Sequence, residues 1–127
     1  MFAILIAAPH PGDTAMLRDQ AAMIDALLAR GFSADQILCL HGPLDRPLVL
    51  ATLQAAGRRV AGWREGSVFL HVSGHGFFVG GTPETARPGL LFTESDDVTD
   101  DGHLFWEDFF AALALPSGMR LTLLPDL

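Results

Sequence analysis

Strand signals alternating with helix signals predict an α/β fold: a mostly parallel sheet with helices on both faces. Three observations carry this expectation. Phe2 to Ala8 is an almost continuous apolar run, the mark of a strand covered on both sides. Two later stretches repeat apolar residues at helical spacing. Each of them feeds a further short apolar strand, as successive strand–helix units do.

Taken in order, Asp13 stands where it can cap the first helix, whose stripe is Leu17, Ala21, Ile24 and Leu28 and whose stop is Gly31. Ile37 to His41 reads as the second strand, after which Gly42-Pro43 breaks the chain and Asp45 and Pro47 open a second helix. In that helix Val49, Leu53, Ala56, Val60 and Trp63 form one apolar stripe to lay on the sheet. Ser67 to Val72 is the third strand, with His71 as an interior histidine. Residues 76–94 are rich in glycine and interrupted by Pro83 and Pro88, which predicts a loop or short hairpin returning through Gly89 to Phe92. An acidic loop, Glu94 to Asp101, follows, and its last aspartates suit the start of a helix carrying Leu104, Phe105, Phe109 and Leu113. Pro116 to Gly118 ends it, and Met119 to Leu124 is the fourth strand. His41 and His103 read as loop or cap residues. No linker, repeat or low-complexity stretch divides residues 1–127, so a single domain is expected.

At 127 residues and 50% hydrophobic, with 18% charged, the chain can bury a core, and disorder is excluded. The net charge of −7 leaves no basic stripe for a phosphate backbone or an anionic membrane, so neither nucleic acid nor membrane is an expected partner. A cationic ligand suits it better. The lone cysteine and the absence of a basic flank or cleavage pattern at the start predict a reducing, cytoplasmic setting.

In an open parallel sheet, ligands bind beyond the carboxyl ends of the strands. The third strand ends in Ser73-Gly74-His75-Gly76, where a histidine between glycines can act as a general acid or base. The segment Gly66 to Gly76, a hydrophobic strand running into Ser-Gly-His-Gly, resembles the histidine strand of the caspase-like cysteine peptidases, in particular the metacaspase and orthocaspase branch. Arg120-Leu-Thr-Leu-Leu-Pro-Asp126 is similar to the family's nucleophile strand, an apolar run ending in Asp-x-Cys. The order of the other elements resembles the family along essentially the whole chain.

The resemblance implies a caspase-like fold seen through its first four strands only, in the order two-one-three-four. It makes His75 the catalytic histidine, which protonates the leaving amine and activates water, and gives the Gly76 N–H to the oxyanion hole. Asp126 then binds an Arg or Lys before the scissile bond, and Asp13 shares that rim, facing the same basic residue. The family's cysteine would follow Leu127. The chain as read is therefore expected to be inactive: either the amino-terminal part of a peptidase cleaving after Arg or Lys, or a pseudo-peptidase that binds protein. Cys39 cannot substitute, since in that strand order it lies two strands from His75, roughly 10 Å away; it is expected to be a small buried residue. Ser73 is not a credible nucleophile either, because nothing orients a base toward it. The unpaired edge of the fourth strand, Met119 to Leu124, predicts a homodimer or a partner chain.

Two further features are weighed against this. Ala8-Pro9-His10-Pro11-Gly12-Asp13 is similar to the APHPDDE motif of zinc-dependent LmbE-like deacetylases, with Gly12 and Thr14 departing from the pattern and no clear third ligand. Glu94, Asp96, Asp97, Asp100 and Asp101 offer calcium-type carboxylates without EF-hand spacing, so a solvated acidic loop is the plainer reading. No metal is otherwise expected.

Overall fold

The computed structural model describes residues 1–127. Strand β1 (Phe2–Ala7) leads to helix α1 (Ala15–Ala29), β2 (Ile37–His41) to α2 (Arg46–Val60), and β3 (Gly66–Ser73) to an antiparallel excursion, β4 (His75–Val79) and β5 (Arg87–Leu91). Then come β6 (His103–Phe105), α3 (Trp106–Leu113) and β7 (Met119–Asp126). The main sheet has the order β2-β1-β3-β7 with every neighbouring pair parallel. Beside it stands a three-stranded antiparallel sheet, β4-β5-β6. The main sheet has the four parallel strands expected, and the short hairpin expected of the Gly-rich segment is β4–β5; the addition is β6, where His103–Phe105, read as the start of a helix, pairs with β5 to complete a second sheet.

Alternation along β1 and β3 separates two packed layers. Phe2, Ile4 and Ile6 with Val68, Leu70 and Val72 face α2 and α3, meeting Val49, Leu53, Ala56, Val60, Phe109 and Leu113. Ala3 and Leu5 face the other way, against Leu27 of α1 with Met23, Ile24 and Phe69 around them. Helices therefore cover both faces. The α2 stripe packs as its spacing requires, and Asp45 caps that helix by accepting a hydrogen bond from Leu48 N at 2.9 Å.

Helix α1 is turned relative to its predicted stripe. Leu17 and Leu28 are exposed, while Gln20 is buried. The Gln20 amide donates to the carbonyl oxygens of Leu5 and Leu40, each at 3.2 Å, so it bridges β1 and β2. A buried amide whose protons find two carbonyls is satisfied, and the helix rolls to bring Gln20 inward at the cost of leaving two leucines in water. The third helix begins later than expected. Leu104 and Phe105 belong to β6, where they pair with Leu90 and Gly89. That pairing needs Gly89, because a Cβ there would come within 2.5 Å of Leu104 O. Glu107 and Asp108, rather than the aspartates of the loop, occupy the first turn of α3.

The acidic loop is tied down by one arginine. Arg46, at the start of α2, donates through its guanidinium to the carbonyls of Asp100 (2.7 Å), Thr99 (3.2 Å) and His103 (3.3 Å). It also pairs with the Asp101 carboxylate at 3.1 Å. His103, expected in a loop or cap, is buried in β6 with its Nδ1 bonded to Asp100 Oδ1 at 2.7 Å. The Ser95 hydroxyl, the His103 ring and the Gly102 N–H together hold the Asp100 carboxyl down at about 2. No helix is long and apolar enough to cross a membrane.

Candidate functional site

The carboxyl ends of β1, β3 and β7 lie side by side, because the backbone ladder continues past each strand. Ala8 N–H donates to Ser73 O at 2.9 Å, and Gly74 N–H to Asp126 O at 3.1 Å. Gly74 permits this closeness: a Cβ on it would sit 3.3 Å from both Cβ and O of Ala8. The chain then reverses into β4, whose first residue, His75, is held opposite Leu91.

After β1 the segment His10-Pro11-Gly12-Asp13 closes a tight turn. Asp13 N–H donates to His10 O at 3.0 Å, and His10 N–H donates back to Asp13 Oδ2 at 2.9 Å. Gly12, at φ +94°, supplies the left-handed corner. Asp13 is therefore not the helix cap; Thr14 occupies that position. Its carboxylate is aimed instead at the sheet end, where Oδ2 accepts from His75 Nε2 at 2.7 Å. The His75 bond, and after it the His10 N–H, hold the Asp13 carboxyl below the usual carboxylate range. A carboxylate can only accept, so the proton of a neutral His75 sits on Nε2 and the Nδ1 lone pair is left free. An oriented imidazole with an available nitrogen is the equipment of general acid–base chemistry.

His10 completes the cluster. Its ring stacks on that of His75, with centroids 3.9 Å apart and planes 22° from parallel. Its Nε2 bonds Leu91 O at 3.3 Å, and because that oxygen can only accept, the proton is on Nε2. His10 also lines a cavity of about 710 Å³ with Pro11, Pro43, Leu44, Phe92 and Glu94, at the ends of β1 and β2. His75 does not line it.

On the other side, Gly76 faces Leu127, the residue after β7. A Cβ on Gly76 would meet Leu127 Cδ1 at 3.8 Å and Leu127 Cβ at 3.9 Å, ordinary contact, so no clash forces glycine here. Asp126 lies in register with Ser73, on the same face of the sheet, and its side chain is exposed. Ser73 Oγ and His71 Nδ1 are buried on that face without a hydrogen-bond partner.

The structure brings His75, Gly76 and Asp13 together with the strand end that carries Asp126. Sequence reasoning assigned His10 only to a zinc reading and so missed its stacking on His75; the proline-flanked turn after β1 was the available signal. Cys39 lies on β2, opposite Leu5, with β1 between it and β3. It is exposed rather than buried, because β2 forms the open edge of the sheet, and the partial burial of its thiol pushes the pKa up. A raised thiol pKa works against a nucleophilic role.

The metal readings find less support in the geometry. No group of three or more His, Cys, Asp or Glu side chains is arranged to hold a metal ion. His10 and His75 lie face to face, which keeps their lone pairs from converging on one point. In the acidic loop, Asp97 accepts from Thr99 and Asp100 from Gly102 and His103, so both carboxylates serve the turn itself. Comparison with protein-family models finds no match, and comparison with the curated proteins finds none either.

Proposed function

We propose that the chain carries the histidine half of a caspase-like cysteine-peptidase site. The observation that supports this reading best is the 2.7 Å His75–Asp13 pair at the carboxyl ends of parallel strands, with Leu127, the residue after β7, facing Gly76. In this reading His75 Nδ1 takes the proton of a thiol and later returns it to the leaving amine. Asp13 Oδ2 holds the ring in the tautomer that makes this possible. The Gly76 N–H stabilises the oxyanion, and Asp126 receives a basic side chain of the substrate, drawn by a chain of net charge −7. Among residues 1–127 no thiol stands near His75, so in this reading these residues bind a basic peptide and the attacking thiol is not one of them.

The test supplies the thiol. A cysteine appended after Leu127 in a Cys39→Ser background stands next to Gly76 in this reading, and His75 accelerates its alkylation by iodoacetamide at neutral pH relative to an unstructured peptide thiol. His75→Ala removes the acceleration. Equal rates with and without His75 would refute the assignment, as would turnover of a fluorogenic Arg peptide by the unextended chain. Zinc-dependent deacetylation lost in His10→Ala would replace it with the metalloenzyme reading.

A further inference from the structure

Strand β7 is bonded on one edge only. It is the last strand of the main sheet, nearly all of its residues are exposed, and Leu121, Leu123 and Leu124 retain 36%, 37% and 46% of their accessible surface. An exposed apolar edge of this kind is a template for another strand.

The backbone decides which groups it offers. Gly74 N–H reaches Asp126 O, so the main-chain groups of Asp126 point toward β3. Main-chain direction alternates along a strand, so Leu121, Leu123 and Pro125 turn theirs to the open side. Pro125 has no N–H to offer, and the open side is where a strand proline is tolerated. The edge therefore presents paired N–H and C=O groups at Leu121 and Leu123, and a lone C=O at Pro125.

The side chains then select the occupant. Arg120 and Asp126 lie three residues either side of Leu123 and, with Thr122 and Leu124 between them, share one face of the sheet. A strand with opposite charges placed symmetrically about its centre is complementary to itself when reversed. We propose that the open edge of β7 takes the β7 edge of a second copy of this chain, antiparallel and centred on Leu123. Leu123 of each copy exchanges both backbone bonds with the other, and Leu121 N–H donates to the partner's Pro125 C=O. Arg120 stands opposite the partner's Asp126, twice per dimer, on the face where Thr122 meets the partner's Leu124. A parallel copy would set Arg120 against the partner's Arg120 and Asp126 against the partner's Asp126, which like charges oppose. The two-fold arrangement joins the main sheets into one of eight strands, twice the four in each chain. One strand edge covers less than the roughly 800 Å² per partner of a standard stable interface, so the dimer dissociates in the micromolar range. This inference is independent of the proposed function.

The test is sedimentation equilibrium of the 127-residue chain from low to high micromolar concentration, with circular dichroism to confirm folding. The wild type dimerises. Arg120→Asp and Asp126→Arg each place like charges at both cross-strand positions and weaken the dimer about tenfold or more. Mixed in equal amounts, the two variants restore association, because every cross-strand pair in the heterodimer is again of opposite sign. The double variant Arg120→Asp/Asp126→Arg dimerises like the wild type, which checks that neither change acts through folding. A wild type that stays monomeric overturns the proposal, as do single variants that dimerise unchanged or a mixture that remains monomeric.

Discussion

Replacing Arg46 by methionine keeps the aliphatic stem of that side chain and deletes the head that holds the acidic loop. Three bonds from a charged donor to the carbonyls of Thr99, Asp100 and His103 are lost, together with the Asp101 ion pair. The ion pair contributes almost nothing, since the Asp101 side chain is 65% exposed. The carbonyl bonds count for more because the Arg46 side chain retains only 30% exposure. Hydrogen bonds to charged groups contribute about 1.5–3 kcal/mol each in favourable cases, but freed carbonyls at the surface regain water, so about 2 kcal/mol in total is the expected loss. For a domain of this size that lowers Tm by about 8 °C. Thermal and urea unfolding measure the stability, and limited proteolysis at the loop reports the local effect. Arg46→Lys recovers only part of the loss, because an ammonium cannot span carbonyls set apart like these. A methionine variant within about 0.5 kcal/mol of wild type, the ordinary range for surface changes, would refute the view that Arg46 orders the loop.

Three other outcomes follow from the same physical reading. Asp100 is held at about 2 in the folded chain against its ordinary 3.8, so its contribution is complete above about pH 4 and is lost as pH falls toward 2. The gap in urea midpoint between wild type and Asp100→Asn therefore narrows across that window; a constant gap from pH 7 to pH 2.5 would contradict it. Among the glycines, Gly57→Ala sets a Cβ 2.2 Å from Leu113 O at the α2–α3 contact, and the overpacking, about 1–3 kcal/mol, outweighs a helix-propensity gain of up to about 1 kcal/mol. Gly76→Ala meets only ordinary contacts and leaves the free energy of unfolding within about 0.5 kcal/mol of wild type, so that any effect it has on the site is separable from folding.

What could be read in advance was what repeats. Periodic apolar residues carried the four parallel strands and α2, because a stripe such as Val49, Leu53, Ala56 and Val60 has one way to meet a sheet. The features that escaped depend on single polar contacts between distant residues. Gln20 turns α1 by reaching two strand carbonyls, and no periodicity rule weighs an amide above a leucine. His103 looked like a loop residue because its partner Asp100 belonged to a cluster that reads as solvated. Leu104 and Phe105 fitted a helical face as well as they fit β6, and only Gly89 on the facing strand decides between them. At the site, His75 was legible from its flanking glycines. The role of Asp13 was not, because its competing use as a helix cap is local and its bond to His75 spans 62 residues.

The two proposals meet at Asp126. A carboxylate that receives the substrate's basic side chain cannot at the same time lie against Arg120 of the partner subunit, so peptide binding and dimerisation oppose each other. Such coupling is reciprocal: whatever factor the dimer takes from peptide affinity, the peptide takes from dimer affinity. An Arg-containing peptide therefore binds more weakly when the protein is held well above its dimer dissociation constant than well below it, and saturating peptide shifts the sedimentation profile toward monomer. Replacing the peptide's Arg by an uncharged residue removes both effects. Equal affinity at the two protein concentrations, with dimerisation itself established, would show that the peptide does not use Asp126, and would leave the strand edge standing while removing that residue from the binding site.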